Sequence, residues 1–382
     1  MDEKEALEEI KQCLECKDCF KVCDTYQVTE NELKSPYGRL KIAKKVFHDE
    51  EISEEERLGL YTCTLCGLCD LECCQNLRIA EVVHLAKMKL SGTKKGKYEI
   101  QDKIIGGILK KDNSVNGDPA ERLDWLPEKY SDKEQFDEKD SDTLLFLGCM
   151  SSFKVKESAS ASYELLKEAN YDFKILKNEP CCGEYIYGAG DLEEAKKYFK
   201  KTYEILRENK IKTILVTCAG CLYAFNNVYP KYFDNWDIDV KHIIQVLYEL
   251  EQEGKLKFKE LNQNITLHDS CRMGRRIKGM DIYKEPRELL AKTNTKINEL
   301  SQIKENSPCC GAGAGVRGIE KDLCINIGSK ILNEMETEHL ISSCPLCIFN
   351  FRYVNYKTEN KKKFQYITDF LLDALKINEQ NE

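Results

Sequence analysis

The chain has 382 residues, of which 42% are hydrophobic, so it is long enough for two or three domains with real cores. Its net charge of −8 argues against a general nucleic-acid-binding protein, no apolar run approaches the ~18 residues of a membrane-spanning helix, and the acidic start lacks the apolar segment of a secretory signal. We therefore expect a cytoplasmic protein, in which 20 cysteines indicate metal binding rather than disulfides.

Residues 1–90 are predicted to form a small helical domain around two cysteine clusters. Amphipathic stretches at 3–12, 37–47 and 79–90 precede, join and follow these clusters. Residues 91–142 form a connector, and its highly charged part, 128–142, is expected to be solvated.

From residue 143 onward, short apolar runs alternate with helical patterns. The runs predict strands at 143–147, 212–216, 265–267 and 340–341. The helical patterns cover 159–168, 192–207, 286–291 and 319–334. This alternation is typical of an α/β domain with largely parallel strands.

The same order of motifs occurs twice in this region. A cysteine after a strand, a Cys-Cys-Gly sequence and a Cys-x2-Cys sequence recur, so that Cys149 corresponds to Cys271, Cys181 to Cys309, and Cys218 to Cys344. We expect two homologous α/β modules, residues 143–262 and 263–382, that face each other across a cleft. The predicted fold class is thus mixed α+β and α/β, with a helical N-terminal domain followed by two α/β modules.

The two N-terminal clusters share one spacing, Cys-x2-Cys-x2-Cys-x3-Cys, which begins at Cys13 and again at Cys63. This spacing resembles that of bacterial ferredoxins, in which three cysteines of one motif and the last cysteine of the other ligate each [4Fe–4S] cubane. Structural zinc is the alternative, but it explains neither the third cysteine pair nor the duplication. The resemblance implies one cubane on Cys13, Cys16, Cys19 and Cys73, and a second on Cys63, Cys66, Cys69 and Cys23.

Each α/β module supplies five cysteines, one more than a zinc ion or a cubane requires. Adjacent cysteines suit neighbouring irons of a larger, irregular cluster, and the glycines after them, Gly183 and Gly311, let the backbone approach it. We interpret the run 311–315 as backbone packed against a cluster rather than a nucleotide loop, because it follows a cysteine pair and not a strand. The candidate ligands are Cys149, Cys181, Cys182, Cys218 and Cys221, and Cys271, Cys309, Cys310, Cys344 and Cys347.

This pattern resembles the Cys-Cys-Gly domain of heterodisulfide reductases. The matching sequences are Leu-Gly-Cys-Met (147–150), Thr-Cys-Ala-Gly-Cys (217–221), His-Asp-Ser-Cys-Arg-Met-Gly-Arg (268–275), Cys-Cys-Gly-Ala-Gly-Ala-Gly (309–315) and Cys-Pro-Leu-Cys (344–347). With the ferredoxin-like domain included, the whole chain resembles the D-type subunits of these reductases. The resemblance implies a disulfide reductase of anaerobic methanogenesis, in which two cubanes feed two noncubane [4Fe–4S] clusters. Those clusters sit on the ten module cysteines and reduce a disulfide like that of coenzyme M and coenzyme B.

The resemblance also implies partners. The electron donor is another subunit (a flavoprotein, a ferredoxin or a membrane cytochrome), and the substrate is a small-molecule disulfide or thiol. We expect a hetero-oligomer in which this chain binds no flavin or nucleic acid, spans no membrane, and meets a membrane only through a partner. Some members of the family instead serve as iron–sulfur subunits of glycolate or lactate oxidising complexes. Electron transfer for such a flavin-linked dehydrogenase is therefore the alternative function.

A few residues near the motifs have both a functional and a simpler explanation. Cys74 and Cys324 remain after the ligands are assigned and are expected to be packing residues, Cys324 as a buried apolar side chain, with a ligand role as the alternative for Cys74. His268, which lies close before Cys271, is either a proton donor to a leaving thiolate or a structural residue at a strand end. The basic run Arg272, Arg275, Arg276 and Lys278 either binds an anionic group of a substrate or forms a solvated or interface face.

Overall fold

The first ninety residues are helical, as the amphipathic patterns predict. A computed structural model describes residues 1–376, so the last six residues of the predicted second module, 377–382, lie outside the described residues. The three predicted stretches are the helices α1, α3 and α6. The helices before the first strand are α1 (Glu3–Lys11), α2 (Asp24–Gln27), α3 (Pro36–Phe47), α4 (Glu54–Tyr61), α5 (Leu68–Glu72), α6 (Ile79–Leu90), α7 (Glu99–Lys111) and α8 (Glu128–Ser131).

Local signals fix where these helices begin. Asp2 accepts from the backbone N–H of Glu5, whose side chain binds back, and this capping box starts α1. Ser35 caps α3, whose first residue is a proline that needs no hydrogen-bond partner. Helices α3 and α6 then pack their buried apolar faces together and form the core of the N-terminal domain.

Two parallel sheets form the rest of the chain. The first contains β1 (Thr143–Phe146), β2 (Thr213–Val216) and β3 (Asp239–His242), in the order β1-β2-β3. The second contains β4 (Asn264–His268), β5 (Lys296–Ile297), β6 (His339–Ser342) and β7 (Lys363–Tyr366), in the order β5-β4-β6-β7. The four predicted strands are β1, β2, β4 and β6. Strands β3 and β7 were not predicted because they carry polar residues among the apolar ones, and β5 was not predicted because it has only two residues.

The two sheets repeat one topology. Leu144 of β1 forms a parallel bridge with Lys174, at the position where β5 pairs with β4 in the second sheet. The helices that cover the sheets are α9 (Gly148–Phe153), α10 (Lys156–Glu168), α11 (Glu184–Gly188), α12 (Leu192–Glu208), α13 (Ala219–Tyr223), α14 (Ile243–Gln252), α15 (Lys284–Ala291), α16 (Val316–Ile319), α17 (Lys321–Glu334), α18 (Pro345–Lys357) and α19 (Ile367–Asp373).

The prediction of one helix over 319–334 is wrong at its start. The backbone at Glu320 leaves the helical region, with φ −140° and ψ 88°, and separates α16 from α17. The Glu320 carboxylate binds the ammonium of Lys34 in the N-terminal domain at 2.6 Å. A contact between domains therefore accompanies the break, and no local pattern in the sequence signals it.

One hydrophobic core runs through both sheets, and the connector joins it. Ile105, Ile108 and Trp125 of the connector are buried in this core, although the charged part after them stays largely exposed. Helices α10 and α19 pack against each other across the two modules. Within residues 1–376, no helix is both long and apolar enough to cross a membrane.

A buried hydrogen bond also joins the modules. The Tyr366 hydroxyl at the end of β7 donates to the Thr217 carbonyl at the end of β2, with a distance of 2.6 Å. Tyr366→Phe removes this donor, and we expect the free energy of unfolding to fall by about 1–2 kcal/mol, because a buried carbonyl loses a partner. Denaturant titration of the anaerobic protein measures this. Tyr356→Phe, at an exposed tyrosine of α18, is the matched control. Equal losses of unfolding free energy in the two variants would contradict a stabilising role for the Tyr366 hydrogen bond.

Candidate metal centres

The first four-cysteine set lies at the protein surface. Cys13, Cys16, Cys19 and Cys73 line one small cavity, with Cys16 exposed and the others partly buried. The fourth cysteine comes from the second motif, as the ferredoxin resemblance implies. We call these four residues the surface set.

The second four-cysteine set lies deeper. Cys63, Cys66, Cys69 and Cys23 line a separate cavity, and all four are partly buried. We call them the buried set. In both motifs the residues on either side of the second cysteine have positive φ, namely Glu15 and Lys17 in the first motif and Leu65 and Gly67 in the second. The two loops thus share one backbone conformation, which curls the cysteines around a common centre.

The ten module cysteines line a single cavity of about 260 Å³. Cys149, Cys218 and Cys344 follow the ends of β1, β2 and β6, and Cys271 comes soon after β4. Ligand sites of parallel sheets gather at these carboxyl ends of the strands. Thr64 of the N-terminal domain and Ser114 of the connector complete the wall, so every part of the chain contributes to this ten-cysteine cavity.

The thiol contacts inside the cavity repeat between the modules. Eight of the ten cysteines are buried, and only Cys149 and Cys271 are partly exposed. A further contact, between Cys218 and Cys344, crosses from one module to the other. The repeated pairs are Cys149–Cys181 and Cys182–Cys221 in the first module, and Cys271–Cys309 and Cys310–Cys347 in the second.

The glycine after each cysteine pair is required by the backbone. Gly183 and Gly311 have φ of +75° and +93°, a region that other residues rarely adopt. A side chain at Gly183 would meet the Phe199 ring at 2.7 Å, and one at Gly311 would meet the Cys324 carbonyl at 3.2 Å. Both side chains would therefore meet the protein behind the cysteines, so packing and conformation explain these glycines.

The buried set touches the second module directly. The thiol of Cys66 contacts that of Cys309, and the Asp24 carboxylate accepts from the Cys309 backbone N–H at 2.9 Å. A side chain at Gly313 would lie 2.6 Å from the Thr64 carbonyl. The backbone at Gly313 therefore packs against the ferredoxin-like loop, which refines the expectation of close packing against a cluster for this part of the run 311–315.

The basic run forms an internal interface. Arg272 binds Glu184 of the first module at 2.6 Å. Arg275 donates to the Cys66 carbonyl at 2.9 Å, and Arg276 pairs with Asp70 at 3.3 Å. The interface explanation of these arginines is thus confirmed.

His268 lies behind the second module's cysteines. Its Nε2 is 3.1 Å from the Pro308 carbonyl, which can only accept, and its Nδ1 is 3.4 Å from the Ser342 hydroxyl. Both ring nitrogens thus face protein groups, and His268 does not line the ten-cysteine cavity. Its role as a proton donor stays a prediction.

The two leftover cysteines differ. Cys324 is completely buried and donates to the Gly311 carbonyl at 2.9 Å, as expected of a packed residue. The same expectation is wrong for Cys74, which is exposed and lies beside Cys16. Sequence reasoning also missed Tyr185, Arg317 and Lys321 in the cavity wall, since none of them belongs to a recognisable motif.

The donor sets fit iron–sulfur clusters. Thiolates are soft, charged donors that iron prefers in such clusters. The cavity of the buried set offers four of them, and the cavity of the surface set offers its four together with Cys74. In the described part of the chain, no three His, Cys, Asp or Glu side chains are arranged to hold a single metal ion. The cysteine sets named above are therefore the candidate ligands of clusters larger than one ion.

Comparisons with known proteins agree with this arrangement. The cysteine-rich domain model matches residues 143–226 and again 265–352, and the 4Fe–4S dicluster domain model matches residues 9–77. The D subunit of the dihydromethanophenazine:CoB–CoM heterodisulfide reductase of Methanosarcina barkeri is 28% identical over 372 residues, which cover 89% of this chain and 88% of the relative. These matches confirm the predicted fold class and the order of a dicluster domain and two cysteine-rich repeats.

Other relatives have different names. The B subunit of the fumarate reductase (CoM/CoB) of Methanothermobacter marburgensis is 22% identical, over 88% of this chain and 66% of the relative. The EtfAB:quinone oxidoreductase of Syntrophomonas wolfei is 31% identical, over 60% of this chain and 32% of that protein. The comparisons thus agree on an iron–sulfur oxidoreductase, while the reactions in the relatives' names differ.

The neighbouring cysteines Cys73 and Cys74 allow a matched test of the surface set. We expect Cys73→Ala to lose one cubane signal and the corresponding iron, because it removes a ligand, whereas Cys74→Ala keeps both. Iron analysis and electron paramagnetic resonance (EPR) of the reduced protein measure this. Loss of the cubane in Cys74→Ala together with its retention in Cys73→Ala would show that the assignment is reversed.

The close approach at Gly313 gives a second test. Gly313→Ala forces the two loops apart, so we expect the free energy of unfolding to fall by about 1–3 kcal/mol and electrons to pass more slowly from the cubanes to the ten-cysteine cavity. Denaturation and stopped-flow reduction measure the two effects. Gly106→Ala, where a methyl group meets open space, is the control. Native electron-transfer rates in Gly313→Ala would contradict this route.

Proposed function

Because the chain is an iron–sulfur oxidoreductase of the heterodisulfide reductase family, similar to the D-type subunits, we propose that it passes electrons through two [4Fe–4S] cubanes to the ten-cysteine cavity and there reduces a small-molecule disulfide to two thiols. The reaction breaks one S–S bond and consumes two electrons and two protons. The electrons come from a partner, and several relatives are named as subunits, which supports a hetero-oligomer.

The arrangement of the ten module cysteines around one cavity supports this proposal. All ten module cysteines line the same cavity, and both modules contribute a complete five-cysteine set. A pure relay needs one centre beside the next, whereas cleavage of a disulfide benefits from two centres that face one space. The contact between Cys218 and Cys344 brings the two sets together.

The ten cysteines would hold two noncubane clusters, five ligands to each. Iron–sulfur clusters bound there supply the two electrons one at a time. The protein's own contribution is to fix the thiolates. The Ser114 hydroxyl lies 3.1 Å from Cys149, and the Ser270 hydroxyl lies 3.5 Å from Cys347. Hydrogen bonds to sulfur orient a ligand and tune its charge.

Tyr185 is suited to stabilise the thiol product. Its hydroxyl is buried and has no hydrogen-bond partner among the described residues, although the residue lines the cavity. Burial raises the pKa of Tyr185, so the phenol keeps its proton at neutral pH. It can therefore donate a hydrogen bond to a leaving sulfur.

Two cations in the cavity wall favour an anionic substrate. Arg317 stacks on the rings of Phe349 and Tyr353 at 4.6 and 4.5 Å, and its buried Nε has no hydrogen-bond partner within residues 1–376. Lys321 follows it at the start of α17. A guanidinium held in this way is preorganised to bind a carboxylate, sulfonate or phosphate group.

A relay is the second candidate function. The EtfAB:quinone oxidoreductase relative has a name that mentions no disulfide, and it is 31% identical to this chain over the matched region. In that case the cavity would accept electrons for, or from, a partner such as a flavin-linked glycolate- or lactate-type dehydrogenase. Both candidates use the same cubanes, and they differ only in what meets the ten cysteines.

Dye-linked kinetics distinguish the two functions. Reduced viologen supplies electrons to the anaerobic holoprotein, and we expect small disulfides, above all anionic ones, to accelerate oxidation of the dye. Cys218→Ala and Cys344→Ala should abolish this acceleration because they remove proposed ligands. Cys324→Ala, at a buried cysteine outside the sets, is the matched control and should retain it. If no disulfide accelerates dye oxidation while the cubanes are reduced normally, the relay function replaces this one.

A further inference from the structure

Three cations surround the buried set. The Arg39 guanidinium lies 3.8 Å from the sulfur of Cys23. The Lys87 ammonium donates to the Cys63 carbonyl at 2.9 Å, and the Arg275 guanidinium donates to the Cys66 carbonyl, also at 2.9 Å. Each cation thus reaches a different cysteine of the set. We call these three residues the cationic shell.

The cationic shell has no carboxylate partner. Among the described residues, none of the three forms an ion pair, and their remaining hydrogen bonds go to backbone carbonyls and threonine hydroxyls. The acids beside the set are already paired. Asp24 binds Lys330 at 3.1 Å, and Asp70 binds Arg276 at 3.3 Å.

Burial makes this excess of positive charge costly. Lys87 is completely buried and Arg39 is 2% exposed, whereas Arg275 is partly buried. Unpaired charge in a protein interior is strongly unfavourable unless an opposite charge compensates it. A cluster with four thiolate ligands is an anion, so the shell provides the compensation that such a cluster needs.

In the part of the chain that the structure describes, no comparable shell surrounds the surface set. Lys17 and Lys21 lie in its loop, but both are exposed and paired, with Glu32 at 2.9 Å and with Asp18 at 2.6 Å. Water and salt also screen charges at that position. The two four-cysteine sets therefore differ in their electrostatic surroundings although their spacing is identical.

We infer that Arg39, Lys87 and Arg275 make the cluster of the buried set the higher-potential member of the pair, so that electrons pass from the surface set to the buried set. Reduction adds one negative charge, which nearby unpaired cations stabilise. Burial acts in the opposite direction, but three cations at the ligands themselves outweigh it. Each transfer moves one electron and forms or breaks no bond.

The contact between Cys66 and Cys309 indicates the direction in which electrons would move between the two sets. It makes the buried set the neighbour of the second module's cysteines, whereas Cys16 leaves the surface set accessible to an electron donor. A donor thus reaches the lower-potential centre first. This inference requires cubanes on the two sets but does not depend on the disulfide reaction, so either can fail alone.

EPR-monitored redox titration of the anaerobic holoprotein tests the inference. A paramagnetic lanthanide chelate, which stays in the solvent, perturbs the signal of the surface set more strongly and so assigns the two cubanes. We expect the buried set to titrate at the higher potential. Lys87→Met should lower its equilibrium constant for reduction about tenfold, or about 59 mV, and leave the surface set unchanged.

Two further variants keep the test decisive. Lys89→Met removes a charge from the same helix, but that lysine is paired with Glu3 and Asp49, so both potentials should stay native. Arg275→Gln decides the outcome if Lys87→Met fails to assemble, and it should shift the same cubane in the same direction. Native iron content with an unshifted buried cubane, or a buried set that titrates below the surface set, would overturn the inference.

Discussion

The arrangement of the chain depends on one close approach, between the loop of the second ferredoxin-like motif and the Cys-Cys-Gly loop of the second module. Cys66 and Cys309 touch there, Asp24 accepts from the Cys309 backbone, and Gly313 leaves no room for a side chain beside Thr64. The ion pairs Arg276–Asp70 and Lys34–Glu320 secure the same interface. These contacts hold the N-terminal domain in one position relative to the cavity.

Electrostatics and folding are coupled at this interface. The cationic shell has no carboxylate partners among the described residues, and an anionic cluster on the buried set would supply the compensating charge. Metal binding then also contributes to the free energy of folding, because a preformed site is unfavourable without its metal. The pairing of Arg272 with Glu184 extends the same network to the first module.

Much of this could be predicted from the sequence. Cysteine spacing indicates the duplication, and its resemblance to ferredoxin spacing predicts eight cubane ligands, which the structure gathers into two four-cysteine sets. Strands β1, β2, β4 and β6 contain the apolar runs that predict them, while β3 and β7 mix polar with apolar residues and β5 has only two residues. The helix break at Glu320 accompanies a contact with distant Lys34, which no local pattern reveals.

The residues proposed to act outside the motifs could not be predicted. Lys87 lies in an amphipathic helix, where a lysine is normally solvated, and only the tertiary structure shows that it is buried. Tyr185 and Arg317 belong to no motif, and they gain significance from their unpartnered polar atoms in the cavity wall. His268 was singled out because of its place near Cys271, yet it faces Pro308 and Ser342 instead.

Rapid freeze-quench EPR can show whether electrons pass from the surface set through the buried set to a disulfide. The fully reduced holoprotein is mixed with a small anionic disulfide, and the two cubane signals are followed in time. We expect both signals to decay only when disulfide is present. The surface set should lose its signal before the buried set, because electrons move to the higher-potential centre. Signals that persist in the presence of disulfide, or a buried set that is oxidised first, would contradict this expectation.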